Sequence, residues 1–222
     1  MLFLWIFFYG LVYSLAEAVI PFAGNSPWIT PLCMLGYILF LLRQLARVKK
    51  AETVGLCPMQ ISETSDVLYL LPLLILPAMN LYSGGLLVPL RDILLMFCIS
   101  VAEELLFRGY LLSVFVRRLG FWGIPGSALI FALAHCANLL SGAPVFYILV
   151  QIQLAFFAGS YYSLIRMHFQ SLIPCIAAHF LTNITAGSGI VLPNQYLIPI
   201  ALFCIFGSGL FSKLSSELEG IS

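Results

Sequence analysis

The sequence contains few charged residues. Only 9% of its 222 residues are Asp, Glu, Lys or Arg, whereas 62% are hydrophobic, and the formal net charge at pH 7 is +1. A soluble domain of this composition would have too little polar surface to cover itself. The scarcity of charge therefore predicts an integral membrane protein. It also argues against a nucleic-acid partner, since no basic stripe is available to neutralise phosphates.

Several short catalytic signatures are also missing. The six cysteines are scattered, mostly inside apolar stretches, and no C-x-x-C pair occurs, so we interpret them as small buried hydrophobic residues. The H-E-x-x-H pattern of a standard zinc protease is absent. Neither a serine in the G-x-S-G form nor a pair of membrane aspartates is present, because Asp66 and Asp92 lie at the ends of apolar stretches.

Apolar stretches, in contrast, fill the chain. A helix needs about 20 apolar residues to cross a bilayer, and eight stretches are candidates, the shortest being the fifth: 1–20, 28–45, 67–82, 91–116, 127–140, 145–165, 172–186 and 195–211. We expect an all-α, multi-pass membrane protein with about eight transmembrane helices. No internal repeat or second domain is visible, so residues 1–222 are expected to form one transmembrane domain.

Basic residues are distributed unevenly among the predicted loops. With eight crossings, every loop with an excess of Lys and Arg falls on one side, and the other side has only Arg91, offset by Asp92. Because positive residues mark the cytoplasmic side, we expect both termini in the cytoplasm. Residues 51–66 are predicted to be the longest water-facing loop, and His168 is predicted to lie at the membrane interface.

Three charges lie near the middle of the fourth apolar stretch, at Glu103, Glu104 and Arg108. Each charge at that depth costs on the order of 2.5–3.5 kcal/mol, so these side chains should face the protein interior rather than lipid. Glu104 and Arg108 are four residues apart, which predicts a buried ion pair on one helix face. Glu103 is rotated by about 100° from that face and has no local partner in the sequence, so we expect it to be the acid that takes part in catalysis.

Two further stretches carry polar residues at similar depth. The fifth contains Phe131 and His135 in the spacing F-x-x-x-H, and the seventh contains His179 and Asn183 in the spacing H-x-x-x-N. At about 1.5 Å per residue, Glu103, His135 and Asn183 lie roughly 15–20 Å from the cytoplasmic ends of their helices. We therefore expect these side chains to meet in one cavity inside the bundle.

A carboxylate, two imidazoles and an amide in a sheltered cavity suit hydrolysis of a peptide bond. The carboxylate can act as a general base towards water, and imidazole and amide N–H groups can stabilise the oxyanion. The same residues leave a second possibility open, a dispersed zinc site formed by Glu103, His135 and His179.

The three motifs, in this order, resemble those of the CAAX protease and bacteriocin-processing (CPBP) family, which includes the type II CAAX prenyl endopeptidases. The resemblance covers about 90–188. It implies an intramembrane endopeptidase in which Glu103 and His135 activate the water, while His179 and Asn183 form the oxyanion hole. Its remaining implied roles are support by Glu104 and Arg108, and packing of Phe131 beside His135.

The family has been described both as metalloproteases and as glutamate-dependent proteases. We favour no metal cofactor, because Asn183 is a poor zinc ligand and a natural oxyanion donor, and zinc is the alternative. The expected partners are membrane lipid and a peptide or protein substrate, possibly lipidated. A non-catalytic bacteriocin-immunity or scaffold protein is a rival interpretation. A proton-coupled transporter is a weaker one, since such proteins usually show repeated halves.

Overall fold

The computed structural model describes residues 2–20, 26–47, 54–83, 88–139, 142–186 and 197–219. All regular secondary structure within these ranges is helical, and no strand occurs in them. The prediction of an all-α fold is confirmed for this part of the chain.

The predicted apolar stretches form helices with bounds close to those expected. Thr64–Leu74 is a 3₁₀ helix that leads directly into α3, and His135–Leu139 is a 3₁₀ turn that follows α6. The α-helices are α1 (Leu2–Val19), α2 (Ile29–Arg47), α3 (Ile75–Ser83), α4 (Leu90–Glu104), α5 (Leu112–Leu119), α6 (Gly123–Ala134), α7 (Val145–His168), α8 (Ile173–Ala186) and α9 (Leu197–Glu219).

Among the described residues, three helical segments are long and apolar enough to cross a membrane, namely Thr64–Tyr82, Val145–His168 and Leu197–Ser216. Ile29–Gln44 and Ile173–Ala186 are shorter apolar helices. These segments identify a membrane protein, as the composition predicted. The full number of eight crossings stays a prediction.

The fourth apolar stretch is one uninterrupted helical segment with an irregular middle. Between α4 and α5, residues Leu105–Leu111 form a π-helix, whose side chains are buried except for Tyr110. π-helical turns are rare and often occur at functional sites. Glu104 is the last residue of α4, and Arg108 lies inside the π-helix. The charged motif therefore spans the junction between two helix types.

The loops with basic residues meet at one end of the bundle. The Lys213 ammonium lies 2.7 Å from the Asp66 carboxylate, and the rings of Phe121 and Phe211 are 4.9 Å apart between centroids. This arrangement agrees with the sidedness predicted from the basic residues. Which side of the membrane this end faces stays a prediction, and Met1 and 220–222 lie outside the described residues.

The predicted water-facing loop 51–66 is only partly such a loop. Residues 60–65 are exposed, but Val54 and Asp66 are buried, and 51–53 lie outside the described residues. The chain near residue 55 folds back on the bundle, where the backbone N–H of Leu172 donates to the Gly55 carbonyl at 2.8 Å. Gly55 has φ +87° and lies directly against the Arg166 guanidinium, where a Cβ would collide.

His168 has a buried partner that the sequence did not indicate. Its side chain is only 4% exposed, and its Nε2 atom lies 3.3 Å from Oδ1 of Asp66. Its location at the membrane interface stays a prediction, because burial within the protein does not set its depth in a bilayer.

Candidate active site

His179 bridges the two adjacent acidic residues. Its Nδ1–H donates to Oε1 of Glu104 at 2.9 Å, and its Nε2 lies 3.6 Å from Oε2 of Glu103. Glu104 is fully buried and also accepts a hydrogen bond from Nη1 of Arg108 at 3.0 Å, which is the ion pair expected from their spacing. With a doubly protonated imidazole, these four side chains carry no net charge, which lowers the cost of burying them.

Arg108 is buried beneath aromatic rings. Its Cζ atom lies 3.9 Å from the centroid of the Phe131 ring and 5.6 Å from that of Tyr162, distances typical of cation–π contacts. The guanidinium has room because residue 159 is glycine: a Cβ there would lie 2.9 Å from Nη2 of Arg108. Phe131 also packs edge-to-face against His135, with ring centroids 5.0 Å apart.

His135 has a defined tautomer. Its Nδ1 lies 3.1 Å from the backbone carbonyl of Phe131, one turn earlier. A carbonyl oxygen only accepts hydrogen bonds, so Nδ1 carries the proton, and Nε2 of the neutral ring is left as a proton acceptor. Within the described ranges, no hydrogen bond or ion pair connects His135 with Glu103.

Asn183 is oriented by Ser100, a residue that sequence analysis did not single out. The Asn183 amide donates to Oγ of Ser100 at 3.2 Å, and the Ser100 hydroxyl donates in turn to the Met96 carbonyl at 2.7 Å. Ser100 is fully buried, so this chain of contacts is shielded from solvent. One amide hydrogen of Asn183 remains for another acceptor.

A cavity of about 390 Å³ brings the motifs together. It is also lined by residues of α3 and α7, among them Asn80 and Gln151. Six of the seven predicted site residues line it: Glu104, Arg108, Phe131, His135, His179 and Asn183. Glu103 is the exception and joins the group through His179.

Glu103 has a partner that the sequence did not reveal. Its Oε1 accepts a hydrogen bond from the Tyr9 hydroxyl at 2.7 Å, so α1 contributes to the site. Tyr9 is one of ten tyrosines in an aromatic-rich chain. Nothing in its local spacing could have distinguished it from a packing residue.

The zinc alternative can be tested against this geometry. The Nδ1 atoms of His135 and His179 are each engaged by a protein oxygen, which leaves their Nε2 atoms as possible ligands. In the part of the chain that the structure describes, no three His, Cys, Asp or Glu side chains are placed to hold one ion. As placed, Glu103, His135 and His179 do not fit a metal site.

Comparison with known proteins agrees with the motif analysis. Residues 85–185 match the family model described as type II CAAX prenyl endopeptidase Rce1-like. This match confirms the family resemblance predicted from the three motifs, all of which lie within it. Neither the curated proteins nor the solved structures contain a match to the chain. The helices α1, α2, α3 and α9 lie outside the matched segment.

Proposed function

We propose that this protein, whose segment 85–185 is of the Rce1-like type, is an intramembrane endopeptidase. It is one transmembrane domain of eight crossings with cytoplasmic termini, and its catalytic core spans about 90–188. The observation that carries the proposal is the cavity of about 390 Å³, on which a proton-accepting imidazole, a carboxylate and an amide donor converge inside the helical bundle.

Glu103 and His135 are the groups proposed to activate water. Glu103 is the more accessible of the two acids, with a side chain 16% exposed against 0% for Glu104. It has no arginine partner among the described residues, whereas Glu104 is neutralised by Arg108. His135 offers a free Nε2 in the cavity. Positioned general bases of these types contribute about 10²–10⁴-fold to a rate.

Asn183 and His179 are the proposed oxyanion donors. Asn183 has an amide hydrogen left after its contact with Ser100, so it can donate without rearrangement. Both nitrogens of His179 already face carboxylates. The weaker of these contacts, Nε2 to Glu103 at 3.6 Å, is the one that His179 would exchange for an oxyanion. One such donor contributes about 10²–10³-fold to kcat.

The mechanism is proposed to need no metal, since Glu103, His135 and His179 lack the arrangement that a shared ion requires. The substrate is proposed to be a peptide or protein at the membrane, with or without an attached lipid, which enters the cavity from the bilayer. Catalysis by the reconstituted protein should persist in a strong chelator. Loss of activity that added zinc restores would overturn the metal-free mechanism.

The decisive experiment is peptide cleavage by the full chain in lipid vesicles. The probes are a library of membrane-anchored peptides and a matched set with a prenylated C-terminal cysteine, with products identified by mass spectrometry. Glu103→Gln should lower the rate by about 10²–10⁴-fold. Glu63→Gln is the matched control because its side chain is 64% exposed at the far end of the bundle, and it should cleave at the wild-type rate.

Glu104 is a competing candidate for the base, because it lines the cavity and its buried Oε2 has no hydrogen-bond partner. If Glu103→Gln keeps full activity while a folded Glu104→Gln loses it, the base is Glu104. If the wild-type protein cleaves none of the probes, the protease proposal fails and a non-catalytic membrane role takes its place.

A further inference from the structure

Helix α1 reaches the site from outside the segment that carries the family motifs. The Tyr9 hydroxyl lies 2.7 Å from Oε1 of Glu103, 94 residues away in the chain. This distance lies within the range for a hydroxyl that donates to an ionised oxygen. An ionised carboxylate can only accept hydrogen bonds, so Tyr9 is the donor.

Packing against neighbouring side chains holds Tyr9 in place. Its ring lies against Tyr37 of α2, with centroids 6.0 Å apart, and Tyr37 is only 6% exposed. Tyr9 and Tyr37 both belong to the apolar cluster that includes Leu105 and Phe107 of the π-helix. Packing therefore fixes the hydroxyl relative to the helix that carries Glu103.

The two oxygens of the Glu103 carboxylate have different neighbours. Oε1 is held by Tyr9, and Oε2 is turned towards His179. A donor on Oε1 fixes the orientation of the carboxylate and leaves Oε2 on the side of His179. The other charged side chains nearby are Glu104 and Arg108, which His179 links to Glu103.

We propose that Tyr9 is a positioning residue that orients the Glu103 carboxylate, so that the Rce1-like segment is incomplete without α1. This inference rests on the proposed role of Glu103 as the base. The contact itself can be tested without any substrate, and its failure is therefore distinguishable from failure of the proposed function.

The test is a double-mutant cycle on the full chain in detergent, with Tyr9→Phe, Glu103→Ala and the two changes together. The equilibrium constant of unfolding is measured by denaturant titration. A hydrogen bond to a charged group should couple the two changes by about tenfold in that constant. Effects of the two changes that simply multiply would overturn the inference.

The matched control pairs Tyr13→Phe with Glu103→Ala, because Tyr13 lies one turn further along α1 and packs on the same apolar cluster. These two changes should show no coupling. Equal coupling at Tyr9 and Tyr13 would overturn the inference, even if the wild-type protein cleaves peptides. In the cleavage assay, Tyr9→Phe should lower kcat about tenfold without raising KM. Coupling at Tyr9 with no cleavage by any protein would leave the Tyr9 contact in place and remove the protease assignment.

Discussion

Two groups of charged residues in this protein each surround a buried carboxylate, and they differ in how completely that carboxylate is hydrogen-bonded. One is the candidate site, formed by Glu103, Glu104, Arg108 and His179. The other, which we name the end cluster, joins Asp66, His168, Lys213 and Glu63 at the end where the basic loops meet. Each contains carboxylates, a histidine and a cation.

In the end cluster, the buried carboxylate has its partners. Oδ1 of Asp66 lies 2.7 Å from the Lys213 ammonium and 3.3 Å from His168, and Oδ2 accepts from the Glu63 backbone at 3.0 Å. None of these residues lines the cavity of about 390 Å³. At the site, by contrast, Oε2 of the buried Glu104 has no hydrogen-bond partner among the described residues. Charge alone therefore does not distinguish the two groups. The candidate site differs because a cavity lies beside it and because its buried carboxylate has hydrogen-bonding capacity left for a substrate or water.

The two histidines offer the largest contrast. His135→Gln removes the proton-accepting Nε2 from the cavity and should lower cleavage by about 10²–10⁴-fold. His168→Gln keeps a donor for Asp66 and should cleave close to the wild-type rate. Cleavage of the same reporter peptide by both variants measures the difference. Comparable losses in the two variants would mean that both groups serve only folding.

Removal of the cation should separate the groups by stability. Arg108→Met leaves the Glu104 charge buried without its partner and should lower the free energy of unfolding by about 3–5 kcal/mol. Lys213→Met should cost less than about 1 kcal/mol, since the Lys213 side chain is 23% exposed. Both values can be measured by denaturant titration in detergent. The double variant Glu104→Gln with Arg108→Met should recover much of the loss, and failure to do so would argue against the ion pair as its cause.

The glycine that gives Arg108 room should matter more than a glycine elsewhere in the bundle. In Gly159→Ala, the new methyl group lies 2.9 Å from Nη2 of Arg108 and 3.3 Å from Phe131, and such overpacking costs about 1–3 kcal/mol. Gly207→Ala meets its neighbours at 3.6 Å, an ordinary contact. It should be neutral, or stabilising by up to about 1 kcal/mol through helix propensity. Equal unfolding midpoints would contradict the tight packing around Arg108.

The smallest expected effect concerns the serine beneath Asn183. Ser100→Ala removes the acceptor that orients the amide, and loss of a hydrogen bond worth about 1 kcal/mol should lower kcat about fivefold. Ser163→Ala is the control, because Ser163 is equally buried and its hydroxyl donates only to the carbonyl of Gly159 in its own helix. Steady-state kinetics should show no change in the control. A KM effect without a kcat effect in Ser100→Ala would mean that Asn183 binds substrate rather than the oxyanion.

Much of this architecture could be predicted from local patterns. The bounds of α7 and α8 follow from apolar stretches ended by polar or turn residues, because the cost of exposing charge to lipid is large and local. The Glu104–Arg108 pair followed from a spacing of four residues on one helix. Convergence of His135 and His179 on one cavity followed from the depth of each residue in its stretch.

Other features depend on contacts between distant parts of the chain. The fold-back at Gly55 is held by hydrogen bonds to the turn between α7 and α8, and no local signal distinguishes it from an exposed loop. The π-helix at Leu105–Leu111 depends on how this segment packs against its neighbours. The hydrogen bond from Tyr9 to Glu103 joins residues too far apart in sequence for any spacing rule.

The sequence by itself determined that this is a helical membrane protein with an acid, imidazole and amide set buried at similar depth, because hydrophobicity and helix periodicity act over a few residues. Only the tertiary structure decided how each polar atom is used. It assigned His179 to both acids, Tyr9 to Glu103 and Ser100 to Asn183, and it engaged His135 through Nδ1. The physical reason is that hydrogen bonds depend on distances of a few ångströms between helices, which packing of the whole bundle sets.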